Sequence, residues 1–221
     1  MKKVLFTAIA VFGFTFANAQ SNKQGTMQVN VIGGFLTGTA TSKDDAAGST
    51  KDKFSATGAQ FGVNFQYGLA ESFSAGIGLE VGTSVLTPKS IDGYDFVNPS
   101  LSTFKVNLSG RYYFLNEDKF NVYAGPSIGY TSGKDKTVYG FDFGTDKTKF
   151  TGLNYGVNVG GNYFFTDVVG VILNLGYEGN SLKSKYTYTD YDSNNVAFTA
   201  TSTGKATLGG VKVMAGLALK F

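Results

Sequence analysis

The chain of 221 residues has no cysteine, no histidine and no tryptophan, and only 3 prolines. Without cysteine there is no disulfide framework of the kind that staples small extracytoplasmic domains, and no thiol to carry a lipoprotein anchor. Without histidine the Ser-His-Asp and Cys-His nucleophile arrangements are unavailable. The usual zinc donor sets go with them. No metal and no cofactor is expected. Asp44/Asp45 and Asp190/Asp192 are paired carboxylates in polar stretches, read as solvated charge, with weak calcium binding as the other reading. Gly156-x-x-x-Gly160-Gly161 sits inside a strand pattern and opens no helix, so it is not a phosphate-cradling loop. Charge is scarce too, at 16% of residues and a formal net of +3. Lys2 and Lys3 supply two of those charges, which leaves +1 on residues 20–221 and indicates no nucleic-acid partner.

The N-terminus reads as a secretory signal. Lys2 and Lys3 precede an almost unbroken apolar run from Val4 to Ala17, and Ala17-Asn18-Ala19 places small residues where a signal peptidase reads. The run falls short of the roughly 20 apolar residues needed to span a bilayer as a helix. The expected division is a signal peptide over 1–19 and one domain over 20–221.

From Thr26 onward the dominant signal is period-two alternation, which argues strands. Eight are expected, at 26–39, 54–68, 72–86, 101–115, 119–132, 147–165, 168–182 and 206–221. The connections alternate: 69–71, 116–118 and 166–167 are tight, whereas 40–53, 87–100, 133–146 and 183–205 are long and polar. Short turns at one end with long loops at the other is the pattern of a transmembrane barrel in the outer membrane. In the last strand Val211, Val213, Ala215, Leu217, Leu219 and Phe221 share one face, against Gly210, Lys212, Met214, Gly216, Ala218 and Lys220. No charge falls on the apolar phase in the middle of any strand, as expected where that phase meets lipid, because a charge at mid-depth costs about 2–4 kcal/mol. A soluble barrel with its apolar face turned inward is the competing reading. Phe73, Phe114, Phe120, Phe165 and Phe221 near the short-turn end, and Phe35, Phe104, Tyr130, Tyr155 and Tyr177 higher up, suggest two interfacial girdles.

The fold class is therefore all-β, an eight-stranded antiparallel transmembrane β-barrel. The terminal Val-Lys-Val-Met-Ala-Gly-Leu-Ala-Leu-Lys-Phe resembles the signal read by the outer-membrane assembly machinery, carried by Phe221, Leu219 and Leu217. Residues 114–130, Phe-Leu-Asn-Glu-Asp-Lys-Phe-Asn-Val-Tyr-Ala-Gly-Pro-Ser-Ile-Gly-Tyr, look like the small porin-like outer-membrane β-barrel family of OmpX-like proteins and the OmpA transmembrane domain. The resemblance implies the outer membrane of a Gram-negative bacterium, termini in the periplasm, long loops outside, and a monomer. It implies no enzymatic activity, since enzymes of this architecture use histidine. The function it suggests is structural or surface interaction, with lipid and lipopolysaccharide as partners and an extracellular ligand met through the loops. The alternative is a narrow channel for ions or small polar solutes.

Three constellations remain. Glu80, Lys105, Arg111, Glu178 and Lys212 fall on the inner phase, with Lys220, and suggest a lumenal charge network, either a static core or a gate. Tyr113, Tyr123, Phe164, Ile172 and Met214 add bulk there, while Gly62, Gly78, Gly156, Gly160, Gly170 and Gly216 would leave room for water. Lys-x-Lys recurs as Lys51/Lys53, Lys134/Lys136, Lys147/Lys149 and Lys183/Lys185, with Lys89 and Lys205 beside them, all counted to the outward phase at the long-loop end. Such a rim would meet lipopolysaccharide phosphates, or it is a solvated loop base. Asp52 and Asp135 fall inward. Tyr139, Phe141, Phe143, Tyr186, Tyr188, Tyr191 and Phe198 are aromatics of the long loops. The stretch 186–201 reads as a hairpin rising above the membrane, able to bind by strand addition or to pack on its neighbours.

Overall fold

The computed structural model describes residues 21–45, 48–88, 100–138, 145–191 and 196–221. The expected signal segment 1–19, Lys89 and the aromatics Tyr139, Phe141 and Phe143 lie outside them. Eight strands follow one another around a closed ring: β1 (Met27–Asp44), β2 (Asp52–Ala70), β3 (Phe73–Pro88), β4 (Ser100–Asn116), β5 (Phe120–Val138), β6 (Thr145–Phe164), β7 (Val169–Tyr191) and β8 (Ala197–Lys220). Every neighbouring pair is antiparallel. β1 closes on β8 from Gln28↔Lys220 to Asp44↔Gly204, so no sheet edge is left in the barrel wall. Among the described residues no helix is long and apolar enough to cross a membrane; the strands do that work here.

The strands run further toward the long-loop end than the apolar alternation suggests. β1 continues through Thr41 and Lys43, and β7 pairs with β8 from Val169↔Leu219 up to Tyr191↔Ala197. Above a membrane both faces of a hairpin can be polar, so the ladder persists after the hydrophobic signal has ended. At the other end the register shifts between Gly68 and Ala70 and between Tyr113 and Leu115. Such irregularities are common at barrel rims.

The outward phase is apolar through the middle of every strand. Phe61, Val63, Phe65, Leu79, Leu108, Ile128, Val157 and Leu173 are all exposed, and Val157 is 62% accessible. In water this continuous patch would far exceed what a soluble monomer shows; in a bilayer it is the surface that meets acyl chains. The aromatics of both expected girdles point outward, including Phe73, Phe114 and Phe165 below and Phe35, Tyr130 and Tyr155 above. Tyr112 packs on Phe73 and Tyr163 on Phe165 in the lower girdle.

Val159→Arg, between the two girdles, is expected to destabilise the barrel by roughly 2–4 kcal/mol, and Leu69→Arg at the short-turn end by about 0–1 kcal/mol. Denaturant unfolding in lipid vesicles, read by the heat-modifiable electrophoretic shift, checks the difference.

Candidate functional site

An eight-stranded barrel has an interior only just filled by side chains, and this one is filled in layers. At the short-turn end residues 21–26 fold beneath the ring. Asn116 Oδ1 accepts from the Ser21 hydroxyl at 2.6 Å and the Asn22 amide at 3.0 Å, while Asn22 Nδ2 donates to the Ala70 carbonyl at 2.8 Å. Gly25 turns there at φ 88°. Above this cap lies an amide cluster. Gln28 Nε2 donates to Asn30 Oδ1 at 2.6 Å and Asn162 Oδ1 at 3.1 Å, and Asn162 Nδ2 to Asn121 Oδ1 at 2.7 Å. Next comes an apolar layer of Ile32, Tyr113, Tyr123, Phe164, Ile172, Met214 and Ala218. The inner bulk inferred from alternation meets here.

The charged layer sits on top of it. Lys105 Nζ donates to Glu178 Oε1 across the lumen, from β4 to β7. Lys212 Nζ donates to Glu178 Oε2 at 2.9 Å and to Glu80 Oε2 at 3.1 Å, joining β8 to both β7 and β3. Glu80 and Lys105 are register neighbours, yet the described ion pairs of both reach other strands. β4 is thus tied to β7 and β3 to β8 across the barrel, while Lys212–Glu178 joins the adjacent β7 and β8. Arg111 is held differently, with its guanidinium 4.2 Å over the Tyr123 ring. Lys220 lies lower, 4.7 Å over the Phe164 ring. Two carboxylates thus face three cations at this depth, and Lys105 is only 1% accessible. A further chain closes the layer from above: Asn154 Nδ2 to Thr131 Oγ1 at 3.1 Å, and Thr131 Oγ1 to Asn180 Oδ1 at 2.8 Å.

Most of the inner glycines are closely approached by neighbouring atoms, and Gly156 borders the small open space beside the charges. A Cβ on Gly62 would stand 2.8 Å from Glu80 Cγ, and one on Gly160 would stand 2.7 Å from the Tyr123 hydroxyl. Gly62 and Gly160 yield their space to neighbouring long side chains, whereas at Gly216 a Cβ would meet the backbone of Val31 and Ile32. The open space beside the charges is about 70 Å³, bordered by Asn64, Gln66, Arg111 and Asn158.

At the outer rim the lysines fall into rows. Lys134 lies opposite Lys149, and Lys149 opposite Lys185, across β5, β6 and β7. Lys183 lies opposite Lys205, and Lys205 opposite Lys43, across β7, β8 and β1. Lys136 and Lys147 are backbone partners in the same ladder. Lys53 pairs with Thr41, and Lys51 precedes β2, so strand parity does not reach it. Parity counting from Phe35 would have found Lys43 as well. Asp45, which accepts from the Thr203 hydroxyl at 3.0 Å, is the acid in the depression that Lys149, Lys183, Lys185 and Lys205 border. Tyr186, expected as an exposed loop aromatic, instead borders the upper lumen, because it shares the inward phase with Leu182 and Ser184. Phe198 is exposed on the projecting hairpin. At the C-terminus Phe221 and Met27 exchange backbone hydrogen bonds of 2.8 and 3.0 Å, and Leu217 faces outward. The residues of the expected assembly signal thus lie along the seam that closes the ring.

A closed eight-stranded ring with an apolar belt and a packed, ion-paired lumen defines a small barrel of the outer membrane. The sequence matches the pattern of the family described as outer membrane protein beta-barrel domain over residues 6–216, and the chain belongs to that family. It is a protein of the Gram-negative outer membrane. Among solved structures it is similar to the outer membrane protein OprG from Pseudomonas aeruginosa, with 14% identity, 90% of this chain and 97% of that chain covered, and a TM-score of 0.67. It is also similar to AlkL in DMPC lipid bilayers, with 15% identity, 94% and 95% coverage and a TM-score of 0.53. A major outer membrane protein from Thermus thermophilus superposes with 14% identity, 90% and 100% coverage and a TM-score of 0.50. At these identities the likeness is one of fold. A comparison with curated proteins finds no match.

Glu178 serves two lysines and Glu80 one. Glu178→Ala is therefore expected to cost about 3–5 kcal/mol of unfolding free energy, as for one partner removed from a buried pair. Glu80→Ala should cost less. Equilibrium unfolding of the two variants in the same lipid checks the order.

Proposed function

We propose that this protein is a closed, non-enzymatic scaffold of the outer membrane that acts at the cell surface by holding lipopolysaccharide on its outer rim. The observation that carries the reading is the placement of lysine opposite lysine: Lys134–Lys149–Lys185 and Lys183–Lys205–Lys43. Like charges directly opposite on neighbouring strands destabilise a sheet. A surface that accumulates them along two rows gains stability once anions lie between them. Ammonium groups are good point-charge partners for phosphate. The rows stand where those phosphates would be, since Leu153, Thr151 and Lys149 follow Tyr155 on the outward phase of β6 at the top of the aromatic belt.

The ion-paired layer favours this reading over a narrow channel. Lys105 and Lys212 bridge to Glu178 and Glu80 across the bore, with aromatic bulk directly beneath. An ion passing through would have to displace these pairs from one another in a poorly solvated space, at several kcal/mol each.

Two measurements test the reading. The folded protein in a planar bilayer should give no steady single-channel current; a stable, ion-selective conductance would favour the channel. In neutral-lipid vesicles, added lipopolysaccharide should raise the unfolding midpoint in a salt-dependent way. Lys149→Gln, Lys183→Gln, Lys185→Gln and Lys205→Gln combined should remove most of that rise, since each lysine near an anionic surface contributes about 1 kcal/mol. An unchanged rise in the combined variant would overturn the lipopolysaccharide role.

A further inference from the structure

We infer that the extracellular half of the lumen is a binding site for a small apolar molecule whose polar end is neutral or cationic. Above the Thr131–Asn154–Asn180 layer the interior changes character. Leu36, Ala40, Ala56, Leu101 and Leu208 form a buried inward cluster, with Phe54, Leu86 and Phe150 packed against it. These side chains face away from lipid, so the apolar belt does not explain them. Nor does the plug, which is complete one layer below. The barrel wall holds a cavity of about 450 Å³ over this apolar floor. That volume lies within the roughly 300–1,000 Å³ typical of small-molecule sites, which combine apolar walls with a few polar groups.

The mouth decides the charge of the occupant. Asp44 and Asp135 border the cavity together with the hydroxyl-bearing Ser42, Thr148 and Tyr186. No lysine or arginine is among the described residues that line it. Lys43, Lys134, Lys149 and Lys185 sit one residue away from these groups in sequence, on the opposite phase of the same strands. The two faces of the rim thus carry opposite signs. An amphiphile with a carboxylate at the mouth would meet acidic groups, whereas an amine would be attracted. The cavity differs in both location and chemistry from the lysine rows, and it would stand if those rows held no phosphate.

Leucine methyl groups report on the site with an internal control. Leu36, Leu101, Leu182 and Leu208 face the lumen, while Leu79, Leu108, Leu153 and Leu173 face lipid. The full folded protein, methyl-labelled at leucine in lipid nanodiscs, would be titrated with naphthalene, 1-naphthylmethylamine and 1-naphthoate. We expect saturable shifts at the lumenal leucines with the first two probes, and at least about tenfold weaker binding of the carboxylate, equivalent to 1.4 kcal/mol. The lipid-facing leucines should move only in proportion to probe dissolved in the bilayer. Ala206→Trp, or Ala40→Phe if the first does not fold, fills the cavity from within and should abolish the saturable shifts while leaving the heat-modifiable barrel intact. Three results would overturn the site: shifts that rise linearly and equally in both leucine sets, no shifts because the chain's own loops occupy the space, or saturable shifts that survive cavity filling. Equal affinity for amine and carboxylate would overturn its charge preference.

Discussion

In hydrocarbon no water is available to a backbone amide, so each N–H and C=O must be satisfied within the protein. The structure follows from that constraint. β1 must meet β8, and the pairing runs from Gln28↔Lys220 to Asp44↔Gly204 without a break. The seam depends on the last residues of the chain, where Phe221 and Met27 exchange hydrogen bonds. Loss of the terminal residues would therefore open an edge in addition to removing the segment that resembles an assembly signal.

Closure with eight strands fixes the bore, and the bore dictates what can occupy it. A space just wide enough for side chains offers little water to a charge, so charges placed there must find one another. Glu178 accepts from Lys105 and Lys212, and Lys212 also reaches Glu80. The glycines follow the same logic. Gly62 and Gly160 stand where Glu80 and Tyr123 need room, so their missing side chains let larger groups pack. In sequence the same glycines look like space for water, because alternation shows which face a residue is on and not what reaches into it from across the bore.

That distinction separates what was legible in the sequence from what was not. Phase was legible: one apolar face repeated from Thr26 to Phe221 gives the strand count, the fold class, the lipid-facing set and the inner position of Glu80, Lys105, Arg111, Glu178 and Lys212. Pairing across the lumen was not, since Lys105 neighbours Glu80 in register but bonds to Glu178. The N-terminal cap at Ser21 and Asn22 has no period at all and is held by three hydrogen bonds with Asn116 and one each to the Ala70 and Glu71 carbonyls. The upper apolar floor was hidden for another reason. Leu36 follows Phe35, so both phases are apolar there and the period-two signal fades where the inner cluster begins. Alternation underestimates strand length because Thr, Ser and Lys read as loop, although the ladder needs only paired backbone.

The outer rim shows what this fold can do with one short stretch of strand. Thr41, Lys43 and Asp45 alternate with Ser42 and Asp44, and Lys134 alternates with Asp135, so one polar ladder presents different chemistry to its two sides. A pleated sheet separates those sides only by the direction of successive side chains. Outside, rows of ammonium groups stand above the apolar belt. Inside, carboxylates and hydroxyls ring an apolar cavity that the ion-paired layer closes from below. On the closed-scaffold reading proposed above, whatever reaches the cavity from the surface has no aqueous route onward through the charged layer. On that reading the barrel's functional chemistry is concentrated at its long-loop end, while the short-turn half serves to hold the ring closed.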